Sequence, residues 1–593
     1  EYGKNFGEGL LDPRDALTKL AAELPEKPFF KGSCVFIDGY YNFTAQEHAV
    51  ISAVSAQCKD IYVSFTAETG RDFFAENLRS AEIIKRTSKC GCTDVPVGKY
   101  RRSEKRSLCF LESHVWEPVS ETLDLDDGGV KFILAGDRFG ECEAAAAEIL
   151  DYVRAGGRWR DITVLAGSPD KYAGIVDSVF ARAGIKCYIS AHEPILSKPL
   201  FAFMLASLSV VAENFSLRSV KRYIKSGYTG LSVSESDILL GYAESWNVSG
   251  AGWYGDAEWN MDPEGYREGG MSERSRAILK IASSAREKLI PPLAALRESL
   301  AVPGLTVEKG VKAIYNHLIA CRADEKLRAS AQRMLQNGDR EGSERETALW
   351  KQLINILDQL YSVCGSREVS VKRFCSLLKL ICENYAPGAI PASADSVTFG
   401  DAALVRAGGC KMLVLLGVCD GEFPRTAAGG AFFNRVEATA LEAAGLELAD
   451  TAERAVETGR FLVYSAFAAP THRLVLCCPG SELAGEELRP SQAFVAARAM
   501  LPGAEFADLR GKKLFYSAES VASAFPYLAE SPLRDKIAHA LDERGEEYFK
   551  TPPAVFDPDS RIGFEGDTLL LSPSRFERYA LCPFSFFGSY LLG

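Results

Sequence analysis

What most constrains this chain is a rhythm: short apolar strand patterns, each followed by a helical pattern and then by another strand pattern. CVFID at 34–38 gives way to a helix from about Thr44, with Thr44 as candidate N-cap and Glu47 three residues on, and then to KDIYVSF at 59–65. The rhythm returns at VKFILAG (130–136), with a helix over about Glu141–Arg154, a strand at DITVLAG (161–167) and a helix from about Lys171 to Ala183. Such units predict a parallel α/β sheet of buried strands, because the crossover helix returns the chain to start the next strand in the same direction. Residues 71–118 read as helical around a basic stretch, KYRRSEKR (99–106).

From about 200 to 390 the texture changes. Leu349, Trp350, Leu353, Ile354, Leu357 and Leu360 recur at helical spacing, and the loops are Gly-rich or charged. Strand patterns resume at DSVTFG (395–400), KMLVLLGV (411–418) and HRLVLCCPG (472–480). The expectation is a helical domain inserted into the second of two α/β domains. A length of 593 residues with 47% hydrophobic residues suits a globular chain of several domains.

The net charge of −11 means that the surface as a whole repels nucleic acid, so any such contact must come from a local groove. The most apolar stretch, 200–212, is short and broken by Ser207 and Ser209, and no basic segment precedes an apolar run at the start. A cytoplasmic protein without membrane contact is expected, its sixteen cysteines mostly reduced and buried. Cys90, Cys92, Cys109 and His114 are numerous enough to hold zinc, but their spacing matches no standard finger, and ordinary thiols are the favoured reading.

Four stretches bear on chemistry. Asp38 ends a strand, where P-loop ATPases hold Mg²⁺, but a strand-ending Asp is more commonly a cap or turn residue, and the next residue is Gly39. The phosphate-loop pattern needs Gly-Lys followed by Ser or Thr. Gly3-Lys4-Asn5, Gly98-Lys99-Tyr100 and Gly511-Lys512-Lys513 all lack the hydroxyl. LVLLGVCDGEFPR (413–425) runs a strand into a Gly-rich turn with Asp420 and Glu422. ERAVETGRFLVYSAFAAPTHRLVLCCP (453–479) is an amphipathic helix leading into a strand.

The last two stretches resemble the closing motifs of UvrD-like helicases. Gly417, Gly421, Phe423 and Pro424 match the strand-turn, and Glu457, Arg460 and Tyr464 match the helix. Where those helicases carry an Arg that acts as an internal arginine finger, this chain has Ala468, Ala469 and Pro470, and where they carry a Glu after the strand-ending Asp it has Gly39. The chain is therefore identified as similar to the B subunit of AddAB-type (RexAB-type) helicase–nucleases, whose helicase-like core is inactivated. VFIDGYYNFT, DRFGECEAAAAEI with WRDITVL and Tyr172, VLLGVCDGEFPR and the terminal LSPSRFERYALCPFSFF carry that resemblance from end to end.

The resemblance implies an α/β fold with two RecA-like parallel-sheet domains and a large helical insertion. It implies the end of a helical subdomain at 1–33, a first RecA-like domain remnant at 34–125, and a second at 130–200 plus 390–485, interrupted by the insertion at 200–390. A connector at 486–570 and the start of a nuclease domain at 571–593 follow. Cys582 takes the place of the first of four cysteine ligands to a 4Fe-4S cluster. The other ligands, the nuclease residues that use Mg²⁺ and the phosphate loop are expected outside these 593 residues. The implied partners are an AddA-type (RexA-type) helicase–nuclease subunit and single- and double-stranded DNA. The implied role is processing of double-strand breaks for recombinational repair, with a part in recognising Chi.

Single-strand channels combine Lys/Arg with aromatics. Arg101 and Arg102, and Lys221, Arg222 and Lys225 in KRYIKSGY (221–228), are the DNA-contact candidates, against the alternative of solvated basic faces. Two other functions stay open: an active superfamily 1 helicase with its phosphate loop upstream, and a protein-only scaffold.

Overall fold

The computed structural model describes residues 15–89, 91–96, 102–117, 121–190, 195–265, 270–385, 395–403, 409–425, 433–444, 452–525, 528, 532–542, 564–565, 568–569 and 572–590. Its contacts divide the chain into two units, 1–187 with 395–593, and 188–394.

The first unit opens with helix α1 (Ala16–Glu23), strand β1 (Cys34–Ile37), helix α2 (Ala45–Ser55) and strand β2 (Asp60–Val63). Thr44 caps α2 as expected. Its hydroxyl accepts the Glu47 N–H, and the Glu47 carboxylate accepts the Thr44 N–H at 2.7 Å. β1 and β2 pair in parallel with Phe36 opposite Tyr62. The sequence predicts β1 as buried, and the structure corrects this: only one face is covered. Phe36 is 72% and Tyr62 55% exposed, their rings stacked with centroids 4.9 Å apart. Helices α3 (Ala75–Thr87) and α4 (Arg106–His114) complete this part.

The larger sheet comprises β3 (Val130–Ala135), β4 (Ile162–Ala166), β5 (Cys187–Ile189), β6 (Val397–Asp401), β7 (Met412–Leu416), β8 (Arg473–Pro479) and β9 (Glu505–Asp508). Among the described residues it has seven strands in the order β5-β6-β4-β7-β8-β3-β9. β3 pairs in parallel with β8 and β9, β4 with β6 and β7, and β7 with β8.

The crossovers β3→β4→β5 run toward one edge and those from β6 through β9 toward the other. Because such crossovers are right-handed, the two sets of helices must fall on opposite faces. Helix α5 (Arg138–Arg154), the first of the β3→β5 set, packs on β3, β7 and β8 and against helix α6 (Ile175–Arg182). The opposite face of the sheet presents Phe132, Leu413, Leu415, Leu474 and Leu476. These pack with Phe461, Val463 and Phe467 of the helix Ala452–Ala468, and with Phe494 and Ala497 of the helix Gln492–Met500.

Two element boundaries differ from expectation. α5 begins at Arg138 rather than about Glu141, because Asp137 is its N-cap and accepts the Gly140 N–H at 2.7 Å. The stretch 486–570, expected to be a connector, supplies β9, which extends the sheet beside β3.

The 188–394 unit has its own apolar core. Its helices are α7 (Pro199–Ala212), α8 (Leu217–Lys225), α9 (Val233–Ser245), α10 (Ala251–Tyr254), α11 (Glu273–Leu300), α12 (Val307–Ala320), α13 (Ala323–Gln336), α14 (Arg340–Cys364) and α15 (Val371–Glu383). Leu349, Leu353, Leu357 and Leu360 of α14 are buried, as their spacing predicts. His317 of α12 bridges Pro292 O (3.0 Å) and Ser207 Oγ (3.1 Å), and burial holds its pKa down at about 4, so it stays neutral.

In the first unit, helices α16 (Arg435–Ala443), α17 (Ala452–Ala468) and α18 (Gln492–Met500) accompany β7–β9, followed by α19 (Ala518–Ala524) and α20 (Pro532–Asp542). A two-stranded pair, β10 (Phe564–Glu565) and β11 (Thr568–Leu569), and helices α21 (Pro573–Leu581) and α22 (Pro583–Tyr590) come last. No helix among the described residues is long and apolar enough to cross a membrane.

A charge ring at the carboxyl end of the parallel sheet

Four strands of the large sheet end the same way. β3, β4, β7 and β8 run into Gly136, Gly167, Gly417 and Gly480, and each turn then delivers a charged side chain to the same place. The carboxyl end of a parallel sheet is where α/β proteins generally take their ligands. Here it is filled from within.

Arg138, the first residue of α5, is 1% exposed. Its Nε and Nη2 donate to Glu482 Oε2 and Oε1, each at 2.6 Å, and its Nη1 donates to Glu422 Oε2 (3.1 Å) and Tyr172 Oη (2.9 Å). Nη2 also donates to Glu422 Oε1, so every guanidinium N–H has an acceptor. Lys171 Nζ closes the ring, donating to Glu422 (2.7 Å) and Glu482 (2.8 Å). Two cations thus alternate with two carboxylates. The Arg138 guanidinium, ahead of Lys171, holds the Glu482 carboxyl down at about 2.

Behind the ring lies Glu141, fully buried. Its Oε1 accepts the Gly417 N–H (2.8 Å) and its Oε2 the Tyr172 hydroxyl (2.6 Å). Burial raises its pKa to about 7, and the bonds from Gly417 and Tyr172 only partly offset that. Gly417 must be Gly, since its φ is +68° and a Cβ would sit 2.8 Å from Tyr172 Oη.

This has a pH consequence. A carboxyl whose folded pKa stands above its ordinary 4.5 binds its proton more tightly folded than unfolded. Its contribution is therefore present at low pH and lost as pH rises from about 4.5 through about 7. Glu141→Gln is expected to flatten that part of the stability profile. Urea midpoints taken from pH 5 to 8 check this, and parallel wild-type and variant curves would refute it.

The chemistry of the ring is that of a clamp. Its donors are consumed by its own acceptors, and it binds together four strand ends drawn from positions 138, 171, 422 and 482. It presents no paired acid and base. Of these residues Arg138, Glu141, Tyr172 and Glu422 fall in stretches that stand out in the sequence, and Lys171 and Glu482 do not. None of them is singled out there for a site role, and the signal that marks the ring is the repeated strand–Gly–charge pattern.

The residues singled out by sequence lie as follows. Asp38 is exposed and accepts the hydroxyl of Ser64, which follows the neighbouring strand, and Gly39 has φ +80°. Phe423 is buried, and the Phe423–Pro424 bond is cis. Pro424 packs on Gly459 of α17, whose Cβ position is 3.2 Å from Pro424 Cβ, so the structure does bring the two helicase-like stretches together. Gly421 takes φ +78° within that turn, and Glu457 is half-buried on α17.

Arg460 and Tyr464 face the α4 side. The Arg460 carbonyl accepts from Trp116 Nε1 (2.9 Å), and Tyr464, packed on Phe73 and Phe74, donates to Glu112 (3.3 Å). Burial, then the Glu112 charge, pushes the Tyr464 hydroxyl up to about 12.

The DNA-contact candidates fall in both units. Arg102 is exposed in the first unit, and Lys221, Arg222 and Lys225 lie on α8 in the second, where Lys221 pairs with Glu244 and Arg222 with Glu213 at 3.0 Å. Arg101 and Cys90 lie outside the described residues. Cys109 Sγ contacts Ser103 O (3.2 Å), and His114 stacks on Phe110. Cys582 is exposed at the end of α21, its sulfur accepting the Ser585 N–H at 3.4 Å. Among the described residues no three His, Cys, Asp or Glu gather as metal ligands.

A family profile described as ADDB, N-terminal matches residues 1–106. Over its whole length the chain is 25% identical to the B subunit of the ATP-dependent helicase/deoxyribonuclease of Acetivibrio thermocellus, covering 55% of that protein. The proteins of the same description from Desulforudis audaxviator and Symbiobacterium thermophilum are also 25% identical, over 100% and 99% of this chain and 55% of their own lengths. The chain thus spans about half the length of the curated relatives it matches.

These matches, on a parallel α/β sheet, make the chain similar in sequence to subunits of that description. Residues 1–106 thus carry the AddB N-terminal profile, and the chain as a whole is similar to these B subunits.

Proposed function

We propose that this chain is the non-hydrolysing, helicase-like part of a cytoplasmic helicase–nuclease that processes double-strand DNA breaks for recombinational repair. In this reading it holds single-stranded DNA, contributes to Chi recognition and works beside an AddA-type motor. The two RecA-like domains are 34–125 and 130–200 plus 390–485, with 200–390 as the helical insertion. The observation that carries the reading is the charge ring. The sheet end where a ligand would ordinarily bind is closed by Arg138, Lys171, Glu422 and Glu482.

Gly39 in a left-handed turn and Ala468-Ala469-Pro470 in place of an arginine finger support the same reading over an active helicase. Residues 571–593 open the nuclease domain in this reading, with Mg²⁺ serving that domain. A 4Fe-4S cluster needs four thiolates, and the described residues bring Cys582 alone, so they do not by themselves fit the group.

The test measures two things on one preparation. Oligothymidylate should bind with an affinity that falls as salt rises, because phosphate contacts release counterions. ATP turnover should stay at background with that oligonucleotide present. Salt-independent or absent binding favours the scaffold reading. Turnover that Asp38→Ala abolishes would restore the active helicase.

A further inference from the structure

Gly511-Lys512-Lys513, which lacks the hydroxyl of a phosphate loop, has another use. It follows the carboxyl end of β9, the edge strand of the large sheet. Arg510, Gly511, Lys512 and Lys513 are all exposed, and Phe515, two residues on, is 47% exposed. The segment Asp508–Phe515 carries one acid and three bases, in a chain whose net charge is −11. It is a local exception to a surface that otherwise repels polyanions.

The loop is held in place. Leu509 N–H donates to Leu134 O of β3 at 2.7 Å, and Lys512 N–H closes a turn on Leu509 O at 3.0 Å. Arg510 is oriented by Asp508, to which its Nε and Nη2 donate at 2.9 and 2.6 Å. The glycine turns of the neighbouring strands make room for it. The Cβ position of Gly480 is 3.5 Å from Arg510 Cδ, and that of Gly136 is 3.9 Å from Gly511 N. The groups facing the loop are Asp508 and, within electrostatic reach of Lys513, Glu143, which accepts the Tyr516 hydroxyl at 3.2 Å. Further along the same edge, Phe506 of β9 is 43% exposed, with the Arg498 guanidinium 5.1 Å from its ring centre.

We infer that this loop is a contact surface for single-stranded nucleic acid, with Lys512 and Lys513 on phosphates and Phe515 against a base. Cations interleaved with an exposed aromatic on a fixed loop suit a strand whose bases are unpaired, because a duplex keeps its base faces stacked away. The inference rests on the DNA-holding role proposed above and locates a contact for it.

The experiment titrates the whole chain into fluorescently labelled oligothymidylate, and into a duplex of equal length, at several NaCl concentrations. Wild type is compared with Lys512→Ala/Lys513→Ala and with Phe515→Ala. All three positions are exposed, so unfolding midpoints should match wild type. The double variant is expected to lose about tenfold or more in single-strand affinity. Its log–log salt slope should be shallower by about 1.4, from about 0.7 per phosphate contact on a single strand. Phe515→Ala is expected to lose about fivefold or more on the single strand, as loss of a base stack does, and nothing on the duplex.

Wild-type binding that neither variant changes overturns the loop as the contact and leaves the DNA-holding role standing. Equal losses on single strand and duplex overturn the base contact. No salt-dependent binding by wild type removes both this inference and the role on which it rests.

Discussion

Arg138→Met is expected to destabilise the first unit by about 3–5 kcal/mol, the range seen when one member of a buried ion pair is removed. The reason is asymmetry. With the guanidinium gone, Glu422 and Glu482 keep their charge next to Lys171 alone, and Tyr172 Oη loses a donor while still facing Glu141. A desolvated carboxylate that loses its main partner costs more than the intact pair contributes. Arg138→Met/Glu422→Leu, which removes the opposing buried charge as well, should recover part of the loss. Urea unfolding of the single and double variants reads this directly. A single-variant loss below about 1 kcal/mol would mean that solvent, not the ring, satisfies these carboxylates.

Gly167→Ala should be comparably severe, at about 3 kcal/mol, the upper part of the usual range for overpacking. A Cβ there would sit 2.3 Å from the Glu422 carbonyl oxygen and 3.0 Å from Phe423 Cβ. Backbone, not a movable side-chain tip, is in the way. The shift would pass to Arg425, whose Nε donates to Gly167 O, and to the Glu422 carboxylate of the ring. Gly241→Ala is the control. It lies inside α9 with nothing within 4 Å of its Cβ position, and should stabilise by about 0.5–1 kcal/mol. Thermal shifts of opposite sign are the expected pattern, and a neutral Gly167→Ala would show that the β4 and β7 turns have room to part.

The α/β rhythm was legible because buried strands are written as continuous apolar runs: VKFILAG, DITVLAG, KMLVLLGV and HRLVLCCPG all became strands of one sheet. The α2 cap was legible because Thr44 and Glu47 are local. β9 was not, since EFAD at a sheet edge buries little and has no apolar run. A helix is expected from about Lys171 to Ala183, but α6 starts only at Ile175 after a 3-10 turn at Pro169–Tyr172, because Gly174 with φ +79° breaks the pattern.

The charge ring was illegible for a different reason. Its bonded pairs lie 251 to 344 positions apart and meet only once the strand order is known. Conversely, Arg460 and Tyr464 matched a helicase pattern, yet the structure uses them to pack α17 against Trp116 and Glu112.

The strand order also has a consequence in time. No two of β3, β4 and β5 are neighbours. β3 lies between β8 and β9, β4 between β6 and β7, and β5 beside β6. Every partner is encoded after residue 394, beyond the whole helical unit. On a ribosome adding about 5–20 residues per second, β5 waits roughly 10–40 s for its partner and β3 roughly 17–70 s. They are long enough and apolar enough to pair with the wrong neighbour meanwhile. The helical unit, which has its own apolar core, can complete itself during that wait, while the sheet can close only when its later strands thread between the earlier ones. The helical middle is thus free to mature before the large sheet, whose early strands depend on being kept apart until then.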